Sequence, residues 1–455
     1  MRKSQITLYE FSTSKEGIKE LTDKEIKLLL RINKKLKREF GENVITIPYD
    51  KSKIRTYNYV GVINVGNKRI QILPKLYKPS LRDSDEDRED KKTQSLKNLL
   101  YMLHFAYKLP IRKTSESIFK RYRDNFLEIY IHIFLRELEE ALRATLFRQY
   151  IDIEDNLSFF RGKIKISQHI KENVVKNNPV KLYCEFDELT DDNLINQTIK
   201  YTLKLLRVMS HSYLNINRIN QLLFTLADIS DRIIKPEDKE KIHYTRLNEY
   251  LMPVIEKCFL FINNFSIDLT TGKTDYGAII FDMNELFEEF IANFIIKNKK
   301  DLGLGDYDIK AQHRLGYLDT TETIRLKPDI VICSNECNRE EGKIEVIIDT
   351  KYKILNPDKK FGVSNEDIYQ MLAYALGGKC SKIVLLYPRP ENYKEDRKPP
   401  LRIHLHSNEK CSDELPREIE IFIRTVNIMH EDLKNEKEEM MGELREIFQE
   451  CGLIT

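Results

Sequence analysis

Apolar runs and helical patterns alternate in the last third of the chain and predict a sheet that is covered by helices. The segments 325–332, 343–350 and 382–388 each contain a short run of Ile, Val or Leu, which is typical of buried strands. The segments 281–296 and 366–376 place apolar residues at i, i+3, i+4 and i+7, which is typical of an amphipathic helix. The order helix, strand, strand, helix, strand predicts an α/β core.

The first two thirds of the chain carry different patterns. Strand-like runs come first, at 44–48, 60–65 and 69–73, and helical spacing follows, at 95–150 and 193–261. Gly66-Asn67 suits a two-residue type II′ hairpin, because glycine accepts the positive φ of the first turn position. Residues 79–93 are mostly charged, as expected of a solvated linker or an exposed loop.

These patterns predict an α+β multidomain protein. Its 455 residues are enough for two or three domains, each with its own core. We expect a small β-rich N-terminal domain, a charged linker, a mostly helical middle domain and a C-terminal α/β domain, at 1–78, 79–93, 94–265 and 266–455. Polar residues at the ends of strands in the last domain are the first candidates for chemistry.

Two acids and a lysine stand at such strand ends. Side chains i and i+2 of a strand share a face, so Asp349 and Lys351 are predicted to point to one side and Thr350 to the other. Asp329 can add a second carboxylate from the neighbouring strand. Mg²⁺ prefers oxygen ligands and keeps several waters, so Asp329 and Asp349 are sufficient metal ligands. Lys351 can orient an attacking water or balance charge that develops on a phosphodiester. Two buried strands with solvated acids at their ends remain the alternative.

The flanking helices bring further polar residues to this region. Glu288 lies at the margin of the apolar stripe of 281–296, where an active site would open, although a solvated glutamate is the simpler interpretation. In 366–376, Gln370 and Tyr374 lie one turn apart and can contact a phosphate or an attacking water. Tyr374 can equally be a core aromatic with a hydrated hydroxyl.

This arrangement resembles the PD-(D/E)xK nuclease superfamily, and the wider chain resembles the McrC-type subunits of McrBC modification-dependent restriction systems. The similarity runs in order along most of the chain and includes the segments 59–66, 70–75, 161–163, 184–196, 287–288 and 367–374. The Asp-x-Lys element is weak alone, whereas the ordered set is specific. Carried over residue by residue, the nuclease centre of the family falls on Asp329, Asp349 and Lys351, with Glu288 and Gln370 in supporting positions.

The resemblance implies a Mg²⁺-dependent endonuclease subunit that cuts modified, 5-methylcytosine-containing double-stranded DNA in phage defence. Such subunits work with an McrB-type AAA+ GTPase hexamer, whose GTPase this chain would stimulate, and double-strand cleavage would require self-association of the complexes. The β-rich domain 1–78 is expected to dock the partner and to be removable without unfolding the nuclease domain. A stand-alone nuclease and a catalytically inactive scaffold are the alternatives.

Composition sets outer limits on these expectations. The chain has 75 Lys and Arg against 72 Asp and Glu, so a DNA enzyme with this balance must gather its basic residues on one face or gain affinity from a partner. The Gly-Lys-Thr at 272–274 lacks the first glycine of a phosphate-binding loop, which agrees with a motor supplied in trans. Without a long apolar run or a signal peptide, we expect no membrane contact and a cytoplasmic location.

Overall fold

The protein is described by a computed structural model that covers residues 4–454 except 67, 79, 81–82, 108–115, 123–124, 144–145, 265–275, 335–341, 354, 356–362, 390–397, 406–415 and 429–435. The Gly-Lys-Thr at 272–274 therefore lies outside the described residues. No helix in the described part of the chain is both long and apolar enough to cross a membrane.

The chain forms two compact units. A discontinuous unit combines Ser4–Phe126 with Ile280–Thr455, and a middle unit comprises Leu127–Ile279. This division differs from the predicted boundaries at 78, 93 and 265, because segments from both ends of the chain pack into one unit. Sequence periodicity reports which face of an element is buried, but not which distant element covers that face.

The largest sheet of the discontinuous unit has six strands in its described part. Their order is Asp308–Ala311, Ile330–Cys333, Ile344–Thr350, Lys382–Pro388, Glu418–Val426 and Leu401–His404. The third, fourth and fifth strands run parallel to one another, and the others pair antiparallel. The helix Asn365–Gly377 provides the crossover that a parallel pair needs, and its Met371 and Ala375 share a buried cluster with Ile347 and Ile383 of the sheet. The fourth strand, Lys382–Pro388, confirms the strand predicted at 382–388.

A second sheet contains the predicted N-terminal hairpin. Its strand order is Ser4–Tyr9, Lys68–Leu73, Tyr59–Val65 and Tyr276–Asp282. Val65 pairs with Lys68, and Gly66 has a φ of 56°, as the predicted turn requires; Asn67 lies outside the described residues. The strand Ser4–Tyr9, which the sequence did not predict, adds to this hairpin in a parallel register.

The remaining elements of this unit are shorter strands and several helices. The strands are Thr13–Ser14, Ile45–Thr46, Ile54–Thr56, Gly316–Tyr317 and Arg325–Leu326, and the helices are Glu16–Lys19, Asp23–Phe40, Lys75–Tyr77, Asp85–Ala106, Glu116–Tyr122, Met283–Lys297, Asn365–Gly377 and Glu436–Glu450. The helix Asp85–Ala106 occupies most of the segment that was predicted to be a linker, so that interpretation is corrected. Ser84 and Asp87 form a capping box at its start, which makes a polar segment helical.

The middle unit combines helices with a long antiparallel ribbon. Its elements are the helices Phe126–Ala141, Ile166–His169, Ile170–Val174, Leu194–Met209, Tyr213–Thr225, Pro236–Lys241, Glu249–Leu251 and Met252–Asn264 and the strands Gln149–Leu157, Lys163–Ile164 and Leu182–Thr190. The two long strands pair over their whole length, and residues 149–190 are called the β arm below. Asn193 accepts a hydrogen bond from the Asn196 amide at 3.1 Å and so caps the helix that begins at Leu194, where the predicted helical spacing at 193–261 starts.

Candidate active site

The two candidate metal-binding carboxylates belong to adjacent strands at one end of the six-stranded sheet. Ile330 pairs with Ile348 in an antiparallel register, and one further step brings Asp329 opposite Asp349. Residues directly opposite each other in such a pair have Cβ atoms about 4.5–5.5 Å apart. The acids therefore come together where regular pairing ends, since the first strand starts at Ile330 and the second ends at Thr350.

Thr350 bonds to one of these carboxylates instead of pointing away from the site as predicted. Its amide donates a hydrogen bond to Asp329 Oδ2 at 2.7 Å, and its hydroxyl donates to the same oxygen at 2.8 Å. The alternation of side chains ends with the strand, which explains the difference. Burial raises the pKa of Asp329, while the hydrogen bonds from Thr350 lower it in part, so the carboxylate has one oxygen held and the other left for a ligand.

Lys351 lies beside Asp349. Its Nζ is 2.6 Å from Asp349 Oδ2, and the two side chains are 19% and 1% exposed. Burial is the main cause of the raised pKa of Asp349, and Asp329 adds to it, whereas Lys351 opposes it. Burial lowers the pKa of Lys351, but the neighbouring carboxylates outweigh burial and raise it. The lysine therefore stays charged next to an acid that is reluctant to ionise.

Glu288 approaches the acids from the helix Met283–Lys297. This helix begins after Asp282, whose carboxylate accepts a hydrogen bond from the Asn284 amide at 2.8 Å. Burial, followed by the charge of Asp329, raises the pKa of Glu288 to about 8. The charges of Asp329 and Asp349 thus raise the pKa of Glu288, and Lys351 offsets only part of the repulsion among these acids, which a bound cation would relieve further.

Gln370 and Tyr374 lie one turn apart, and their roles differ. Gln370 Nε2 donates to the Tyr374 hydroxyl at 2.8 Å, and this hydroxyl donates to the Lys327 carbonyl at 3.3 Å. Tyr374 is only 7% exposed, which supports the interpretation of a core aromatic with a bonded hydroxyl. Gln370 remains at the wall of the cleft, with its amide nitrogen held and its amide oxygen available to a donor.

All five predicted residues line one cleft of about 450 Å³. Its lining consists of Asn284, Glu288, Asp329, Asp349, Thr350, Lys351, Tyr352, Lys353, Glu366, Asp367 and Gln370. Lys353 is 59% exposed and lies 3.1 Å from the Asp367 carboxylate. Although burial raises the pKa of Asp367, hydrogen bonds from Ser364 and Lys353 lower it further, so this acid is ionised.

The donor set of the cleft fits a hard divalent cation. Asp329 and Asp349 offer carboxylate oxygens, and Asp349 Oδ2 is buried without a well-directed hydrogen bond from any described residue. Within the described ranges, no group of three or more His, Cys, Asp or Glu side chains is arranged to hold a metal ion. Two carboxylates suffice for Mg²⁺, which usually keeps several waters, but not for a closed tetrahedral zinc site.

Sequence reasoning missed some residues of this cleft. Lys353 stands two positions after Lys351, and this spacing was a signal for a second cation on the same side. Asp367 lies three residues before Gln370 and shares its helix face, and this spacing was the signal that could have found it. Thr350 carried no signal, because strand alternation places it on the opposite face until the strand ends.

The β arm of the middle unit exposes many apolar side chains. They are Tyr150, Phe159, Phe160, Ile164, Ile166, Ile170, Val174, Val175, Val180 and Leu189. Arg161, which belongs to the similar segment 161–163, stacks on Phe186 at 4.0 Å and lies 3.5 Å from Glu188, so its guanidinium is held within the arm. Ten exposed apolar side chains on one ribbon make the β arm a candidate interaction surface.

Fold and cleft define the chain as an α+β protein with a cleft lined by carboxylates and lysines at the end of a mixed sheet. A family model described as "McrBC 5-methylcytosine restriction system component" matches residues 54–388, well over half of the sequence. The chain therefore belongs to the McrBC family of restriction-system components. The resemblance inferred from the ordered sequence segments is thereby confirmed at the level of the family.

Individual relatives agree with this assignment. The chain is 24% identical over 296 residues to the "Type IV methyl-directed restriction enzyme EcoKMcrBC" of Escherichia coli (strain K12), covering 61% of this chain and 80% of the relative. It is similar, with a TM-score of 0.65 and 21% identity, to a chain in the half-complex from a tetradecameric assembly of Thermococcus gammatolerans McrB AAA+ hexamers with bound McrC. This match covers 98% of the present chain and 100% of the other, so the fold is shared over its whole length.

A further solved structure, the Thermococcus gammatolerans McrBC complex, contains a chain that is 24% identical. The match covers 65% of the present chain and 88% of the chain in that complex, with a TM-score of 0.49.

Proposed function

We propose that this protein is the nuclease subunit of an McrBC-type restriction complex and hydrolyses phosphodiester bonds of modified double-stranded DNA. The observation that carries the proposal is the meeting of Asp329, Asp349 and Lys351 in one accessible cleft, where Lys351 Nζ lies 2.6 Å from Asp349. Two acids and a lysine at the end of a mixed sheet are the defining arrangement of the PD-(D/E)xK nucleases, to which the sequence motif is similar.

Each residue of the cleft has its own role in the proposed reaction. Mg²⁺ held by Asp329 and Asp349 would polarise the scissile phosphate and lower the pKa of the attacking water. Lys351 keeps its positive charge and stabilises the negative charge that develops on the phosphate in the transition state. The amide oxygen of Gln370 can orient the water, and the more exposed Lys353 can hold an adjacent phosphate of the same strand.

The partner in this proposal is an McrB-type AAA+ GTPase hexamer that moves DNA towards the cleft. The relative from Thermococcus gammatolerans is bound to McrB AAA+ hexamers in a tetradecameric assembly, which also supports association of two complexes for double-strand cleavage. The exposed apolar side chains of the β arm make it a stronger candidate than residues 1–78 for the contact with this partner. Stimulation of the partner's GTPase would follow from that contact.

Two other functions are weaker on specific grounds. A stand-alone nuclease of the same superfamily would not need the apolar surface of the β arm. A scaffold without catalytic activity would have no reason to keep buried carboxyl groups with raised pKa values next to a charged lysine, because such a cluster costs stability. Both alternatives are tested by the same assay.

Cleavage of methylated DNA by the full chain with Mg²⁺ tests the proposal, with and without the McrB-type partner and GTP. We expect cutting only when partner and GTP are present. Asp349→Asn should abolish cutting while GTPase stimulation persists, and Asp23→Asn, a surface carboxylate paired with Lys51, should behave like the wild type. Wild-type cutting by Asp349→Asn would refute the assigned site. Cutting by the chain alone would favour the stand-alone nuclease.

A further inference from the structure

Glu10 is an acid that the proposed chemistry does not use, yet it is completely buried. Its Oε1 accepts a hydrogen bond from the Tyr352 hydroxyl at 2.9 Å and another from the Lys75 amide at 2.9 Å. Its Oε2 has no hydrogen-bond partner among the described residues. The three residues come from distant parts of the sequence but from the same compact unit.

Lys75 contacts Tyr352 with its side chain as well. Its ammonium lies 4.5 Å from the centre of the Tyr352 ring and 4.6 Å from that of Phe11, and it donates to the Tyr352 carbonyl at 3.4 Å. Cation–π contacts at these distances are favourable, more so where water is excluded. Both the side chain and the backbone of Tyr352 are therefore fixed by residues from the first 75 positions of the chain.

Tyr352 is connected to two parts of the cleft. It directly follows Lys351, so fixing its backbone restricts where the lysine can point. Its ring also packs on Phe287, with ring centres 5.6 Å apart, and Phe287 directly precedes Glu288 on its helix. A displacement of Tyr352 would thus move residues on two walls of the cleft.

Stability alone is a poor reason for this arrangement. A buried acid beside a half-buried lysine contributes little to folding compared with apolar residues of similar size, because both groups lose hydration. The unpaired Oε2 of Glu10 adds a further cost. Groups behind a metal site, in contrast, are commonly charged or polar, because directed hydrogen bonds hold the groups in front of them at fixed angles.

We propose that Glu10, Lys75 and Tyr352 form a positioning network that holds Lys351 and Glu288 in the geometry needed for cleavage. This inference rests on the proposed nuclease function. None of the three residues needs to touch DNA. The N-terminal segment is then part of the catalytic apparatus and not only a candidate docking surface.

Kinetics of the full chain with its AAA+ partner, GTP and Mg²⁺ provide the first test. Glu10→Gln and Tyr352→Phe should each lower kcat about tenfold, as is typical for groups behind a metal site, with KM for DNA unchanged. Because the two residues act through one contact, the double variant should lose no more than the worse single variant. Glu128→Gln, an equally buried acid of the middle unit that binds Ser210 and His211, is the matched control and should keep its kcat.

Wild-type kcat in both single variants, or losses that multiply in the double variant, would overturn the network. A loss in Glu128→Gln as large as in Glu10→Gln would show that any buried acid has this effect, which also overturns it. Lys75→Arg offers a rescue check, since it should retain far more activity than Lys75→Met if the cation matters.

A second test does not depend on activity. Hydrogen exchange of the amides of Lys351 and Lys353, which donate to Leu386 and Lys351 carbonyls, reports how firmly this segment is held. We expect exchange to be about tenfold faster in Glu10→Gln and Tyr352→Phe and unchanged in Glu128→Gln. Unchanged exchange in both variants would contradict the positioning role. If the wild type does not cut DNA but exchange responds as expected, the nuclease proposal fails and the structural link stands.

Discussion

Thr350 is the residue that connects the two candidate metal ligands. It follows Asp349 in sequence, and it gives Asp329 two hydrogen bonds, one from its amide and one from its hydroxyl. Asp329 thus takes its orientation from the strand that carries Asp349. The relative position of the two carboxylates is therefore set by local geometry around one threonine, not by loop flexibility.

Removal of the Thr350 hydroxyl tests this role. Thr350→Val should lower the cleavage rate about tenfold and weaken the response to Mg²⁺, because Asp329 loses one of two directing bonds. Thr350→Ser keeps the hydroxyl and should remain close to the wild type. A magnesium titration of cleavage by the full complex measures both effects. Equal Mg²⁺ dependence in the valine and serine variants would show that the hydroxyl does not orient the ligand.

Glu288 should make the stability of the metal-free protein depend on pH. Its pKa is raised from 4.5 to about 8, so between these values the folded chain keeps a proton that the unfolded chain has released. The stabilisation from this proton is present at low pH and is lost as pH rises through the folded-state value. The Glu288→Gln variant has no such proton to lose. In EDTA, the difference between its Tm and the wild-type Tm should therefore increase, in favour of the variant, from pH 5 to pH 8. A constant difference across this range would contradict the shift.

At the scale of elements, the β arm depends on one turn. Gly162 has a φ of 67°, and a Cβ added there would lie 2.2 Å from the Glu185 carbonyl oxygen. The turn between Leu157 and Lys163 therefore requires glycine both for its backbone angle and for the close approach of the strand Leu182–Thr190. The apolar side chains of the arm keep their positions only if this turn forms.

Two alanine substitutions should consequently have opposite effects. Gly162→Ala should destabilise the arm and reduce stimulation of the partner's GTPase. Gly442→Ala, in the helix Glu436–Glu450, meets no atom within 4 Å and should stabilise the chain by about 1 kcal/mol. Thermal unfolding and GTPase assays of both variants measure this. Full GTPase stimulation by Gly162→Ala would remove the arm as the partner contact.

The same scale shows what sequence patterns can predict. The strand 382–388 was predicted in full, because a continuous apolar run that ends in proline has few other interpretations. The helix Asp85–Ala106 was predicted only from residue 95 onwards, because its first turns are charged on every side and charge alone does not distinguish a helix from a linker. The signal that was overlooked is Ser84 three residues before Asp87, the spacing of a capping box.

For the whole molecule, the limits of prediction are set by contacts between distant segments. The five predicted site residues meet in one cleft because strand ends and helix faces follow from local spacing. The contact of Glu10 with Tyr352 joins residues 342 positions apart and leaves no local pattern. The same is true of the parallel pairing of Ser4–Tyr9 with Lys68–Leu73, and residues from Ser4 onwards belong to the unit that holds the cleft.

Deletion of residues 1–78 should therefore unfold the discontinuous unit, in contrast to the expectation from sequence that the nuclease domain would remain intact. The helix Asp85–Ala106 contacts both the strand Lys68–Leu73 and the helix Met283–Lys297, so loss of the strand exposes a helix that also supports the candidate site. The deletion would remove several fully buried apolar residues, and burial of each stabilises the fold by about 1.5–3 kcal/mol. The whole free energy of unfolding of a domain is only about 5–15 kcal/mol. The deleted residues are Val60, Val62, Ile63, Val65, Ile70, Ile72 and Leu73 among others.

Limited proteolysis followed by mass spectrometry distinguishes the two outcomes in one experiment. In the truncated chain, peptides from 280–334 and 342–353 should be cleaved rapidly, while those from the middle unit at 146–264 should keep their protection, because that unit has its own internal core. The full-length chain serves as the reference for a folded protein. Protection of both segments after truncation would mean that the N-terminal sheet is a separable module, and the link from Glu10 to the cleft would then lose its structural basis.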